Sequence, residues 1–297
     1  MFDNVSFQII NYTQEEFNKM TEVWAAAPPV TRNGKIQCDV DGLRVNYYPE
    51  QLLIKVSNSL HKFYNLMQHG KLYNHDDFSF KHVDKAVTKL EQIFERSSTQ
   101  MKLIGKFEFG FNIDTANYKP YNDIVYRYQS MVTTTTNPFY AFYNTYGGKP
   151  YSKFCSFTEY SLKAYDKGKQ AGLPASHHIL RLEIVNRNSI NTRKIFGKKD
   201  ISIADLKDEN IWNKCFSYLL SSYDSIRVLA SPSDGIITYA LTLCYVFAPI
   251  RKDFKYQLAS VTPKLKTVHD KMKSRAGNPH AMVRERLIEK FKYLVSN

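Results

Sequence analysis

Cysteine is scarce in this chain of 297 residues: Cys38, Cys155, Cys215 and Cys244 are widely scattered and form no CxxC pair. That spacing offers no disulfide framework. With no secretory pattern in "MFDNVSFQII", it leads us to expect reduced thiols and a cytoplasmic setting. Long hydrophobic runs are lacking too. The longest, "GIITYALTLCYVFAPI" from Gly235, falls short of the roughly 20 residues of a membrane span, so it reads as a buried helix or strand and no membrane partner is expected. No Walker loop, Rossmann fingerprint, HExxH or GxSxG occurs, which leaves nucleotide-driven, zinc-protease and serine-hydrolase chemistry without support. Internal repeats and low-complexity linkers are absent as well.

Acid is the other shortage. Asp and Glu number 28 against 41 Lys and Arg, a formal net charge of +13 and a pI near 9.4, and such a chain attracts polyanions. Hydrophobic residues make up 43%, enough for a real core in one large domain or a domain with an appendage.

Period-two alternation marks the strands. Residues 42–58 read as two strands joined by a turn at Pro49, with Leu52, Ile54 and Val56 on one face. "SFKHVDKAVTKLEQIFERSS" places Val83, Ala86, Val87, Leu90, Ile93 and Phe94 at helical spacing behind Ser79 as N-cap. "MKLIGKFEFGFNID", "FTEYSLKAYDKGK" and "HHILRLEIVNR" are three further strands, the last two separated by the Gly172–Pro174 turn. Tyr118 to Lys153 reads as edge strands and loops. Beyond Ile201 the period becomes helical, with a stripe from Ile211 to Tyr223 and a last helix capped by Asn278 and opened by Pro279. These signals predict an α+β fold: a central antiparallel sheet with helices packed on one face, followed by a C-terminal helical segment. The change of pattern suggests a domain at 1–200 and a mainly helical region at 201–297.

Side chains of a strand alternate between faces. Phe107, Phe109, Phe111, Leu162, Ala164, Leu180, Leu182 and Ile184 form one apolar set. The opposite set holds Glu108, Gly110 and Asn112; Lys163, Tyr165 and Lys167; Arg181 and Glu183. If the strands are neighbours, a phenol, two carboxylates and several cations share a surface. Hard carboxylate oxygens suit Mg²⁺ or Mn²⁺, which polarises a phosphodiester; the lysines would neutralise phosphate and favour phenolate at Tyr165, the expected nucleophile; Gly110 leaves room for a backbone to approach. An antiparallel sheet with one wet face shows the same alternation whatever its function. His178 is a further candidate metal ligand, although His177 and His178 point to opposite faces and His178 shares the parity of the apolar set. His61 reads as a surface or helix-start residue.

At these residues the sequence resembles the rolling-circle replication initiators of the Rep_trans kind and the replication proteins grouped with the filamentous-phage gene II protein. "LKAYDKGKQ", "SHHILRLEIV", "SLHKFYN" and "KFEFGFNI" carry the resemblance, over roughly residues 40–190. It implies that Tyr165 attacks DNA and becomes 5′-phosphotyrosyl-linked, with Lys167 beside it in the catalytic group, that Glu183 is a metal ligand, and that Glu108 fills the acidic position of the earlier strand, where the family commonly shows Asp. Asn112 stands where a second acid is often found. No standard His-hydrophobe-His motif is evident, which separates the chain from the better-known relaxases. The expectation is an origin-nicking endonuclease and strand transferase of a phage or plasmid. It would act on single-stranded or hairpin origin DNA with Mg²⁺ or Mn²⁺, beside a host helicase or polymerase, and Lys62, Lys163, Lys169 and Arg181 would hold the DNA backbone. The rivals are a non-catalytic single-stranded nucleic-acid-binding module and a phage structural protein.

Overall fold

The computed structural model describes residues 2–133, 135–142, 151–228 and 279–297. In chain order the described elements are β1 (Phe2–Ile10), α1 (Gln14–Trp24), β2 (Val30–Arg32), β3 (Lys35–Val40), β4 (Leu43–Tyr48), β5 (Leu53–Ser59), α2 (Leu60–His69), α3 (Phe80–Phe94) and β6 (Lys102–Asp114). They continue with β7 (Tyr128–Val132), β8 (Thr136–Phe142), β9 (Ser152–Ser156), β10 (Tyr160–Asp166), α4 (Lys167–Gln170), β11 (Ile179–Asn186), α5 (Ser189–Phe196), α6 (Glu209–Asp224), β12 (Ile226–Val228) and α7 (Pro279–Ser296).

The strands form one twelve-stranded antiparallel sheet in the order β12-β7-β8-β9-β10-β11-β6-β1-β5-β4-β3-β2. Its two halves repeat one plan. β1 opens the first half and pairs with β5, the end of the β2–β5 meander; β6 opens the second and pairs with β11, the end of the β7–β11 meander. The two opening strands pair with each other, with register shifts that interrupt the ladder between Phe2 and Val5 and between Val5 and Phe7. The expected α+β architecture is therefore present.

One face is a layer of aromatic rings under helices. Trp212 of α6 packs its indole on Phe2, Phe80 and Phe109, while Phe291 of α7 stacks on Phe216 with ring centroids 4.1 Å apart and meets Phe111 edge-on. α3 forms as expected, with Ser79 and His82 closing a capping box and all six apolar positions buried. The described helices beyond residue 200, α6 and α7, thus contribute to the same core as the sheet.

Three local readings change. Leu52 is not strand: Pro49–Gln51 makes a 3-10 turn and Leu52 caps it in the left-handed region at φ 46°, leaving β5 to begin at Leu53. Lys167 ends no strand either, because Asp166 accepts the Lys169 backbone N–H and turns the chain into α4. Tyr118–Lys153 includes β7, β8 and the start of β9 on one flank of the sheet. The run from Gly235, Asn278 as cap and Cys244 lie outside the described residues; Cys38, Cys155 and Cys215 are free thiols. Among the described residues no helix is long and apolar enough to cross a membrane.

Candidate functional site

Three middle strands and β1 bring the site together. Lys163 stands opposite Glu183, Tyr165 opposite Arg181, and Glu183 opposite Gly110 in the β10–β11–β6 ladders. A Cβ on Gly110 would come within 2.3 Å of the Leu182 carbonyl and 2.6 Å of Glu183 Cβ, so glycine here admits β11 and its glutamate. The backbone that approaches Gly110 is the protein's own.

Around the acids this second face is not wet. Glu108, Asn112, Arg181 and Glu183 are all buried, and Tyr165 is 7% exposed. The chain between α2 and α3 covers them. Asn112 Nδ2 donates to the Asn74 and Asp76 carbonyls, both at 3.1 Å, and Asn65 Nδ2 donates to Asp76 at 2.8 Å, pinning that segment over the sheet. His61 is fully buried, with Nε2 2.8 Å from Asp76 and its ring stacked on Phe78; it starts α2 as expected but is no surface residue. Burial, opposed by Asp76, holds its pKa below the ordinary histidine value.

Sequence reasoning missed Asp3. Phe2, Val5, Phe7 and Ile9 point into the core, and the three-residue step from Phe2 to Val5 coincides with a register shift that turns Asp3 and Asn4 toward the polar face. Asn4 Nδ2 donates to Glu108, and the Ser59 hydroxyl to Asp3. Carboxylate oxygens of Asp3, Glu108 and Glu183 all lie within 4.8 Å of one another, all three residues buried. Three clustered carboxylates supply hard oxygen donors of the kind that hold Mg²⁺ or Mn²⁺. The residues present therefore fit the expected cation, with Asp3 added to the expected Glu108 and Glu183.

His178 is not in this group. It sits at the entry to β11 on the apolar parity, and its Nδ1 lies against the Ala116 carbonyl, away from the acids. His177 is exposed.

Arg181 is not a surface cation that meets a DNA backbone. It is 0% exposed; its Nε donates to Glu183 at 2.7 Å, Nη2 to Asp3 at 2.6 Å, and Nη1 to Asn112 and the Asn74 carbonyl at 3.3 Å. Burial opposes its charge, yet Tyr165, Asp3 and Glu183 raise its pKa above the usual value. For Asp3 burial likewise opposes ionisation, and Arg181 and Ser59 outweigh it, holding the carboxyl below the ordinary aspartate value.

Tyr165 donates its hydroxyl to Glu183 Oε2 at 3.3 Å. The expectation that lysines favour phenolate is overturned: burial raises the phenol pKa well above 10, and the pull of Arg181 is opposed by Glu183, Asp3 and Glu108. Lys163 Nζ reaches Glu183 at 3.4 Å and Glu108 at 3.8 Å. Lys167, buried, donates to Asn74 Oδ1 at 2.7 Å and Gln170 Oε1 at 2.8 Å; burial, with help from Arg181, lowers its pKa to about 8. Asn74 was also missed. It bridges Lys167 to Asp3, donating to the latter at 2.9 Å, from a segment with no periodicity to betray it.

A cleft of about 590 Å³ opens onto Tyr165, Asp3, Glu108 and Glu183, with Lys62, Lys163 and Lys167 in its walls. Lys169 lies outside that lining, exposed, 5.9 Å from the Tyr151 ring.

No family model matches the chain, and neither does any curated protein. Among solved structures, that of a rolling circle replication initiator protein from Geobacillus stearothermophilus is similar over 80% of this chain and 91% of that one, with a TM-score of 0.44 and 12% sequence identity.

Proposed function

We propose that this protein initiates rolling-circle replication by nicking one DNA strand and holding the 5′ end on Tyr165. The observation that carries the reading is the placement of the Tyr165 hydroxyl 3.3 Å from Glu183 within the Asp3–Glu108–Glu183 group, at the floor of a lysine-walled cleft. A divalent cation held by those three acids would supply Lewis-acid polarisation of the scissile phosphate.

The chain's own residues divide the remaining work. Tyr165 Oη bonds to phosphorus and the P–O3′ bond breaks, its electron pair leaving with O3′. Glu183 Oε2, already the acceptor of the phenol hydrogen, takes that proton. Lys167, with a pKa of about 8, is an ammonium at neutral pH able to give one to the departing oxygen. Lys62 and Lys163 neutralise phosphate along the cleft, which makes affinity fall as salt rises. The freed 3′-OH then primes synthesis, and the phosphotyrosine keeps the bond energy for rejoining. Origin DNA is the partner, single-stranded or hairpin, in the cytoplasm of the host of a phage or plasmid.

A second reading is a binding module without chemistry. The burial of Tyr165 and the Arg181 and Lys163 ion pairs, which balance much of the acidic charge unaided, favour it. Incubation with single-stranded DNA spanning the replicon's origin, with Mn²⁺ or with EDTA, separates the two. We expect a Mn²⁺-dependent covalent adduct that Tyr165→Phe abolishes completely while binding persists. Adduct formation by the variant would overturn the nucleophile, and none by the wild-type protein would leave the binding module.

A further inference from the structure

The polar face does not stop at the acids. Glu183 stands opposite Lys163, Lys163 opposite Phe154 of β9, and Phe154 opposite Tyr140 of β8, so four side chains form one cross-strand row. At a strand spacing of about 4.8 Å, the two rings lie roughly 10 and 14 Å from Glu183 along the sheet.

Neither ring belongs to the core. Their neighbours Phe139 and Cys155 have the opposite parity and are buried under the sheet, whereas Tyr140 is 55% exposed and Phe154 half-buried. The rings pair with each other, centroids 6.0 Å apart and tilted by 40°. Adjacent aromatics on the open side of a sheet leave apolar surface in water that the core does not require. Cations flank them: Lys163 on one side, and Arg187, whose Nη2 donates to Ser156 of β9 at 2.7 Å.

We infer that Phe154 and Tyr140 are a stacking platform for unpaired bases, continuing the cleft outward from the nicking centre. This rests on the reading of the cleft as a nucleic-acid site and adds the form of the substrate, a strand with its bases splayed out. Two π-faces between cations, on a surface continuous with a lysine-walled cleft, match the chemistry of single strands: phosphates meet the cations and any base meets the rings. A duplex keeps its bases stacked on one another and gains nothing from them.

The test is fluorescence anisotropy with metal absent and two labelled strands of equal length, oligo-dT and a fully abasic deoxyribose-phosphate chain. We expect the wild-type protein to bind oligo-dT at least roughly ten-fold more tightly than the abasic strand. Phe154→Leu with Tyr140→Leu should erase that preference without changing the abasic affinity, the salt dependence or the unfolding midpoint, and Phe154→Tyr with Tyr140→Phe should retain it. Equal wild-type affinity for both strands, or a preference surviving the leucine pair, overturns the platform while the reading of the cleft stands. Failure to bind either strand overturns both. A platform that behaves as expected in a protein that forms no adduct leaves the platform and removes the nicking chemistry.

Discussion

Strand β11 presents two faces that are both buried and held by opposite means. Leu180, Leu182 and Ile184 meet the aromatic layer beneath the helices; Arg181 and Glu183, between them, meet a closed charge network. Each large apolar side chain buried on the first face contributes about 1.5–3 kcal/mol without regard to direction. On the second face desolvation offsets much of the Coulomb attraction, so a buried ion pair brings little net stability while its loss costs a great deal. A fold needs the first arrangement. The second, which sets Asp3 and Glu183 on one guanidinium with Glu108 beside them, adds little to the stability of the fold.

Breaking the faces one at a time sharpens the contrast. Trp212→Ala should lower stability by about 3–5 kcal/mol, because the indole fills a space among Phe2, Phe80 and Phe109 that cannot collapse. Arg181→Met should cost a similar amount, about 3–5 kcal/mol, by leaving buried charge without its partner. Denaturant titration measures both, and second-site changes tell them apart. Adding Asp3→Asn and Glu183→Gln to Arg181→Met should recover most of the loss, whereas no removal of charge should help Trp212→Ala. If the triple variant stays as unstable as Arg181→Met, the charge account of this face is wrong.

Metal separates the faces next. Mn²⁺ should raise the wild-type unfolding midpoint by mass action, and Glu108→Gln should remove that rise while leaving the midpoint in EDTA unchanged or higher, since one of three crowded carboxylates is gone. A Mn²⁺ response that survives in the variant would take Glu108 out of the ligand set.

Gly110→Ala tests both faces through one methyl group. The added Cβ would push against the Leu182 carbonyl and Glu183 Cβ, an overpacking cost of about 1–3 kcal/mol, and should weaken Mn²⁺ binding by displacing the glutamate. Unchanged metal affinity would mean that the strands part without moving the carboxylate.

The apolar face was legible because its information is local. Phe107, Phe109 and Phe111, or Leu182 and Ile184, declare their side by alternation, and α3 declares itself by spacing and by Ser79. The same alternation placed Glu108, Tyr165 and Glu183 on one surface. It gave no sign that the surface is covered, so Arg181 read as a DNA contact when it is the buried counter-ion of Asp3 and Glu183. What covers it comes from far along the chain: Asn74 joins a residue 93 positions away, and Asp3 meets Arg181 across 178. Asp3 also depends on a bulge, and a bulge breaks the period by which a strand is read.

The finest effect falls on Lys167, which touches the network without belonging to an ion pair in it. Its ammonium has a pKa of about 8 in the folded protein against 10.5 in a free chain. Between those values the unfolded chain holds the extra proton, so this residue makes stability rise with pH across that window. In the proposed chemistry its contribution would run the other way, because a proton donor is lost above about pH 8. Nicking by the wild-type protein should therefore decline above about pH 8 even as the contribution of Lys167 to stability grows. Lys167→Arg, always charged but a poor proton donor, should lower the rate near neutral pH, abolish the decline in nicking and reduce the rise in stability, the rest of which comes from Lys153, whose buried ammonium is likewise pushed down to about 8. The measurements are single-turnover nicking at saturating Mn²⁺ and thermal unfolding, each from pH 6.5 to about pH 9.5. If the decline persists in the variant, the proton comes from elsewhere, and Lys167 serves as a fixed charge that holds Asn74 against Asp3.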